Sequence, residues 1–390
     1  MAREPKLRPA APIGIKDIAR ELGISIGTVD RALNGKPDIS AATRARVLDL
    51  AKQLGYTPNL AARYLQSRKP VRISVHLPHR IALFWDALRD GIREAAAPFA
   101  PALDVDYRTY PCLGDGDIPL LEQALADGTD GLIIAPGNPS ALAPHLREAA
   151  RRNIPVVCVV TDAPDSPRLL SVSADPFTVG AVAGELLGRF TAGTGQVGFF
   201  TGWLATQDHA DKLRGFVSSL SASNPGLSLG PIIEAHDDER EAHRRARDVL
   251  RAHPQLKGLY VSTVNSMPVL RAAEQEGRLE GLTVVTTDLF PELVDWIRTG
   301  RVAATVYQRP LTQGRVALQA LYQFLQRRHR MPDSQRVVPY VVMRSNLDLV
   351  LERLSVDHRS GDGDRMVARR PEKRPPAAKP RPTTRRRTNP

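Results

Sequence analysis

Apolar residues at the start of the chain fall at helical spacing in short blocks cut by glycine. Ile15, Ile18, Ala19 and Leu22 share one face of a helix that Gly23 ends. Ile24-Ser25 then leads into Thr28, Val29, Ala32 and Leu33, closed by Asn34-Gly35, so the spacing predicts two short helices joined by a tight turn. Ser40 is placed to cap a third helix whose stripe is Thr43, Val47, Leu48 and Leu54, ahead of Gly55. Helices of this size make one small core, expected over residues 13–58. Pro58-Asn59 stops it, and Leu60 to Arg68 is a short amphipathic piece before Lys69-Pro70; residues 59–70 read as a linker able to become helical.

From Val71 the pattern changes to apolar runs alternating with amphipathic stretches. The runs are Val71–Leu77, Val105–Tyr110, Gly131–Ala135, Val156–Val160, Gln196–Thr201, Gly258–Ser262, Thr283–Thr287 and Ala303–Tyr307. Between them lie helical patterns such as Trp85–Ala97, Pro119–Ala126 and Thr178–Phe190. Apolar strands separated by crossover helices imply parallel sheets covered on both faces. Residues 71–356 hold more strands than one sheet accommodates comfortably, so two α/β lobes with a cleft between them are expected.

Charge adds a third region. The formal net charge is +12, which favours an anionic partner without saying which. Much of it lies in Arg369, Arg370, Lys373, Arg374, Lys379, Arg381 and Arg385-Arg386-Arg387, interrupted by prolines and opposed only by Glu372. Such a segment buries too little apolar area to offset its chain entropy, so residues 357–390 are expected to be a disordered basic tail. Cys112 and Cys158 are far apart and lack metal-ligand spacing, which indicates neither a disulfide framework nor a zinc site. No stretch reaches the roughly 20 apolar residues that span a bilayer, and Met1-Ala-Arg-Glu-Pro-Lys lacks a signal-peptide core. A cytoplasmic protein is expected.

The motifs Ile15-Lys16-Asp17-Ile18-Ala19, Gly23-Ile24-Ser25, Thr28-Val29-Asp30-Arg31, Leu33-Asn34-Gly35, Ser40, Thr43-Arg44, Leu54-Gly55-Tyr56-Thr57-Pro58-Asn59 and Ala61-Ala62 closely resemble the headpiece of the LacI/GalR regulators. That resemblance implies a helix-turn-helix whose second helix enters the major groove, with Ile26, Gly27 and Arg31 as base readers. Arg31 can grip guanine with a bidentate contact, whereas Ile26 offers apolar contact and Gly27 only close approach. Ser25, Thr28, Asn34, Ser40 and Arg44 would anchor phosphates, the competing reading being helix caps and solvated polar residues. Gly14 stands where the family commonly has a hydroxyl, and Asp30 where Ser is commonest. The linker resembles the family's hinge helix, with Leu65 in the place of the minor-groove wedge and Ala62 beside it. The wedge works in pairs, which implies a homodimer, or a tetramer built from it, on a pseudo-palindromic operator in double-stranded DNA.

The remainder resembles the ribose-binding type of periplasmic sugar receptor, through Phe84-Trp85 with Asp90-Gly91, Thr161-Asp162, Gly215-Phe216, Thr287-Asp288 and Ala304 to Pro310. The implied architecture is an all-α headpiece before a two-lobed periplasmic-binding-protein-like domain with two parallel Rossmann-like sheets. Sugars present C–H faces to aromatic rings and hydroxyls to polar groups in fixed directions. Phe84 and Trp85 are expected to stack, and Asp162, Asp288, Gln308 and Asn265 to hold hydroxyls. Lys212 takes the place where an arginine commonly binds the ligand. The expected function is a DNA-binding repressor controlled by a small sugar or polyol, acting at the bacterial nucleoid. A non-specific basic DNA-binding protein and a sugar receptor without transcriptional role are the alternatives.

No catalytic residue, metal site or cofactor is expected. Gly193-Thr194-Gly195-Gln196-Val197-Gly198 lacks the lysine of a phosphate loop and precedes a strand, which favours a helix-to-strand turn. His236, Asp237, Asp238, Glu239 and His243 are interleaved with arginines and read as a solvated helix face.

If the tail binds phosphates, deleting residues 366–390 will flatten the dependence of DNA affinity on salt and leave sequence preference intact. Fluorescence titrations of operator and scrambled duplexes across a salt series measure both quantities; an unchanged slope removes the tail from the interface.

Overall fold

The computed structural model describes residues 14–33, 38–54, 69–223, 226–327 and 331–359. Asn34, Ala62, Leu65, most of the linker and residues 360–390 lie outside them.

The first helices are α1 (Ile15–Leu22), α2 (Ile26–Leu33) and α3 (Ala41–Gln53). Gly23, in the left-handed region at φ 63°, ends α1, and Ile24 N–H donates to Ala19 O at 3.1 Å. Glycine adopts that conformation without a Cβ penalty, which is why the turn to α2 can be so tight. Ile18, Val29 and Val47 are fully buried, with Ala19, Ala32 and Ala51 around them. One expected core position is corrected: Leu48 is 46% exposed. Leu50, Ala51 and Leu54 continue the stripe from Val47 instead, keeping the three- and four-residue steps of a helical face.

Two six-stranded sheets follow among the described residues. The first contains β1 (Val71–Pro78), β2 (Leu103–Tyr110), β3 (Gly131–Ile134), β4 (Val156–Val159), β5 (Leu170–Ala174) and β11 (Ser334–Val337), in the order β11-β5-β4-β3-β1-β2. The second contains β6 (Thr194–Thr201), β7 (Gly226–Glu234), β8 (Leu256–Val261), β9 (Thr283–Thr287), β10 (Ala304–Tyr307) and β12 (Tyr340–Val342), in the order β12-β10-β9-β8-β6-β7. The two orders correspond strand for strand. All pairings are parallel except β10 with β12. The two-lobed α/β expectation is met, and its central strands are buried along their length because helices cover both faces.

The helices are α4 (Ala82–Ala96), α5 (Asp117–Asp127), α6 (Pro139–Arg151), α7 (Pro176–Phe190), α8 (Gln207–Ser223), α9 (Glu239–Ala252), α10 (Met267–Gln275), α11 (Pro291–Arg298), α12 (Pro310–Arg327) and α13 (Leu347–Arg359). Neither lobe is contiguous. After β5 the chain passes to the second lobe, where Val179, Ala183 and Leu187 of α7 pack with Val197, Phe199 and Val285. After β10 it returns, and Ala317, Leu318 and Leu321 of α12 pack with Val157 and Val172. Residues 348–390 make a separate unit, described only in its helix. That helix includes 357–359, which the sequence assigned to the tail; a formed helix gains one hydrogen bond for each residue added, so it runs past its last apolar position.

Each lobe is organised by helices that meet backbone to backbone. A Cβ on Gly91 in α4 would lie 1.9 Å from Leu311 O in α12, and one on Gly314 would lie 2.0 Å from Leu88 O. The second lobe repeats the device: a Cβ on Gly180 in α7 would lie 1.9 Å from Lys212 O in α8, and one on Gly215 the same distance from Phe177 O.

Gly215→Ala and Gly314→Ala are expected to destabilise the protein by about 1–3 kcal/mol or more, because the obstructing atoms are backbone and cannot swing aside. Gly281→Ala, with nothing within 4 Å of its Cβ, is expected to be near neutral. Urea unfolding of the three variants makes the comparison; equal midpoints would show that the helices separate without cost.

Candidate functional site: a DNA-facing helix and a polar cleft

In the headpiece, Val29 and Ala32 turn α2 toward the core, so its first turn faces outward. Ile26 is 49% exposed there. Arg31 reaches back along the helix, its Nη1 lying 3.5 Å from where a Cβ on Gly27 would stand. Ile26, Gly27 and Arg31 thus share one end of the helix, where backbone N–H groups and the helix dipole favour an anion.

Ser25 and Ser40 act as helix caps. Thr28 N–H donates to Ser25 Oγ at 3.1 Å and Thr43 N–H to Ser40 Oγ at 3.2 Å. Each serine hydroxyl also pairs with the threonine hydroxyl three residues on, at 2.8 Å. Both serines stay exposed, and a hydroxyl so engaged retains hydrogen-bonding capacity for a phosphate. Arg44 is half-buried on α3. Gly14 lacks a capping hydroxyl, and the Asp17 carboxylate accepts from its N–H at 2.9 Å.

The second site lies where the carboxyl ends of the two sheets face each other, the place where parallel sheets bind ligands. Contact between the lobes is direct: Asp208 N–H, in the first turn of α8, donates to Thr161 Oγ1 beyond β4 at 3.4 Å. Trp203, after β6, lies against Gly114, after β2; a Cβ on Gly114 would fall 2.0 Å from its Cζ3. Gly114 also sits at φ +80°, so only glycine satisfies both the turn and the ring.

Asp288 follows β9 in a left-handed conformation at φ 69°. Gln308 fixes its carboxylate twice, donating from backbone N at 2.8 Å and from Nε2 at 2.7 Å. Gln313 Nε2 holds Gln308 O at 2.9 Å. Burial pushes the Asp288 carboxyl up to about 6 against the pull of the Gln308 hydrogen bonds.

Lys212 and Asp208, side chains 2% and 3% exposed, form a buried ion pair at 2.7 Å. Lys212 Nζ also reaches Ser262 O at 3.4 Å. Their spacing of one helical turn on α8 brings them together, and the Gly180 contact with Lys212 O sets the helix against α7. His209 is buried beside them. Its Nδ1 accepts from Gly202 N–H at 3.0 Å and Trp203 N–H at 3.3 Å and pairs with Thr201 Oγ1 at 2.6 Å. Desolvation lowers its pKa, so the ring is neutral and shapes the loop. Asp208 Oδ1, Asn265 Nδ2 and Ser266 Oγ are buried without hydrogen-bond partners.

The other expected ligand residues have partners within the protein. Phe84 and Trp85 are each 5% exposed and meet edge-on, centroids 5.0 Å apart, in a cluster against which Val264 of the second lobe also packs. Asp162 is held by Arg168, through Nε and through Nη2 at 2.7 Å, and Arg168 continues to Asp333 at 3.0 Å, just before β11. Arg168, Ser262 and the Trp203–Gly114 contact were not singled out in the sequence; only Gly114 within Gly-Asp-Gly marks a sharp turn there. The possible metal ligands do not converge: His236 pairs with Glu241 at 3.1 Å and His243 with Gln275 at 3.0 Å, while Asp238 caps α9. Among the described residues no group of three or more His, Cys, Asp or Glu could hold a metal ion, and no helix is long and apolar enough to cross a membrane.

Residues 74–329 match the periplasmic binding protein domain, and residues 14–59 match the bacterial regulatory proteins of the lacI family. The chain is 26% identical over 267 residues to catabolite control protein A of Priestia megaterium, covering 68% of this chain and 78% of that one. It is 34% identical over 121 residues to the HTH-type transcriptional regulator RegA of Clostridium saccharobutylicum, 29% of this chain and 35% of that one. Among solved structures, GanP, a glucose-galactose binding protein from Geobacillus stearothermophilus, superposes with a TM-score of 0.66 at 26% identity, covering 72% of this chain and 99% of that one.

Asp288 has a raised pKa in the folded chain, so the stability of its protonated form is present below pH 3.8 and lost as pH rises through about 6. Asp288→Asn is expected to remove this slope, a difference of up to about 3 kcal/mol across the window. Urea unfolding at stepped pH measures it; parallel curves for the two proteins would show that the carboxyl does not titrate there.

Proposed function

The chain belongs to the lacI family of bacterial regulatory proteins and carries their periplasmic-binding-protein domain, and from this premise we propose that it is a repressor released from its operator by a small sugar or polyol. It is a sugar-responsive transcriptional regulator. The observation that carries the finer reading is the pairing, in one chain, of an outward-facing recognition turn at Ile26, Gly27 and Arg31 with a cleft of partnerless buried polar atoms at Asp208, Asn265 and Ser266. Arg31 reads guanine, worth about 1–3 kcal/mol of base discrimination, and Ile26 makes apolar contact. Ser25, Thr28, Asn34, Ser40 and Arg44 hold phosphates, and the linker places Ala62 and the Leu65 wedge in the minor groove.

Two copies bind a pseudo-palindrome, since a single wedge and a single helix read only one half-site. Sugar entering the cleft draws on Asp288, Gln308, Lys212 and Asn265, changes the angle between the lobes and unseats the paired linkers from DNA. The site of action is the cytoplasm, at the nucleoid. Catalysis has no place in this scheme, and the similar proteins named above are regulators and a sugar-binding protein.

Coupling of this kind is reciprocal and typically worth about 1–3 kcal/mol, or roughly 5–150-fold in affinity. A thermal-shift screen over monosaccharides and polyols identifies the effector, because a ligand bound by the native state raises its melting temperature. Its affinity is then measured with and without operator duplex. A weaker sugar affinity on operator, by the same factor as operator affinity falls in sugar, supports release; equal affinities would sink the allosteric reading.

A further inference from the structure

We propose that the effector is an uncharged polyhydroxy compound, and that the buried Asp208–Lys212 pair makes the cleft reject phosphorylated and carboxylate sugars. This rests on the cleft being the sugar site.

The argument is a count of charges and donors. Lys212, the cation within the cluster, is already matched by Asp208 Oδ2 at 2.7 Å and by Ser262 O at 3.4 Å. Asp288 lies close enough to interact electrostatically with both members of the pair. Two carboxylates against one ammonium leave the buried cluster no surplus of positive charge. The buried cations nearby are committed, Arg168 to Asp162 and Asp333, and Arg89 to Asp86, Leu77 O and Pro78 O, while Arg80 beyond β1 is exposed to solvent and contacts Cys112 Sγ at 3.7 Å. His209, an acceptor at Nδ1 for two backbone N–H groups, carries no charge to offer. An incoming anion would therefore lose its hydration without gaining a counter-charge, where the low dielectric makes that loss largest.

Hydrogen-bond polarity points the same way. Asp208 Oδ1 is a buried acceptor without a donor, Asn265 Nδ2 a buried donor without an acceptor, and Ser266 Oγ can be either. A hydroxyl donates and accepts, so the hydroxyls of a polyol suit acceptor and donor atoms alike. Ionised phosphate or carboxylate oxygens only accept, and at Asp208 Oδ1 they would set two acceptors against each other. The pair is thus a specificity determinant: it cancels the ammonium that would otherwise meet an anionic ligand inside the buried cluster.

The test uses the full chain and calorimetric titration of matched ligands: glucose, glucose 6-phosphate and gluconate; galactose, galactose 6-phosphate and galacturonate; ribose and ribose 5-phosphate; arabinose and arabinonate. The expected result is that at least one neutral member binds and its charged counterparts bind at least about 100-fold more weakly. Asp208→Asn, which keeps the shape and frees the Lys212 charge, should narrow that gap at least about 10-fold. Lys212→Met, which leaves the carboxylates unopposed, should retain the rejection. A charged member that binds wild type as tightly as its neutral partner overturns the proposal, and this comparison holds even if a variant does not fold. A folded Asp208→Asn protein with an unchanged gap overturns the role of the pair. If no member binds, neutral or charged, the sugar reading of the cleft falls and the proposal with it.

Discussion

Each lobe is set by a pair of helices whose backbones touch. At Gly91 and Gly314 in one lobe, and at Gly180 and Gly215 in the other, the opposing carbonyl oxygen occupies the space where a side chain would begin. Contacts this close fix the distance and rotation of the helices far more tightly than flexible side chains could. In the second lobe the consequence reaches the cleft, because the carbonyl that Gly180 meets belongs to Lys212. The ammonium, its Asp208 partner and the interlobe bond from Asp208 N–H to Thr161 are all held on the helix that this contact locates.

The cleft then combines groups that are expensive to bury. A fully enclosed ion pair gives up hydration that its mutual attraction repays only with good geometry and further hydrogen bonds. Lys212 has such geometry, while one oxygen of Asp208 has no partner at all. Asp288 is held in a left-handed conformation, with both carboxylate oxygens given to Gln308. Backbone strain and partnerless buried polar atoms beyond the strand ends are features that proteins tolerate chiefly at functional sites.

What the sequence conveyed follows from what leaves a local trace. The central strands were legible because burial on both faces makes them continuous apolar runs. β5 was not, since Ser171 and Ser173 interrupt Leu170, Val172 and Ala174, although all of them are buried. β7 is an edge strand broken by Gly230-Pro231, and β11 and β12 are short, with Pro339 between them, so none carries the expected pattern. Asp288 and Gln308 lie at the ends of legible strands, where they were expected to hold hydroxyls; that they hydrogen-bond each other left no trace in the sequence. Asp162 carried the same kind of motif, yet Arg168 occupies it, and nothing local to Asp162 announces a partner six residues away around a proline turn. Phe84 and Trp85 showed their aromatic character but not their burial, which depends on how α4 packs under α12.

The interleaved connectivity bears on how the chain is made. Residues 176–307 supply all but one strand of the second sheet as an unbroken segment, whereas the first sheet waits for α12 and β11, more than a hundred residues after β5. As the protein leaves the ribosome, the lobe encoded second has nearly all its parts while the lobe encoded first still exposes the apolar surfaces of Leu88, Val157 and Val172 that α12 will cover. The lobe encoded second thus gathers most of its core before the lobe encoded first can cover its own, although β12 is the last strand of either sheet to be made, and the earlier lobe is the one with the longer exposure to aggregation and chaperones.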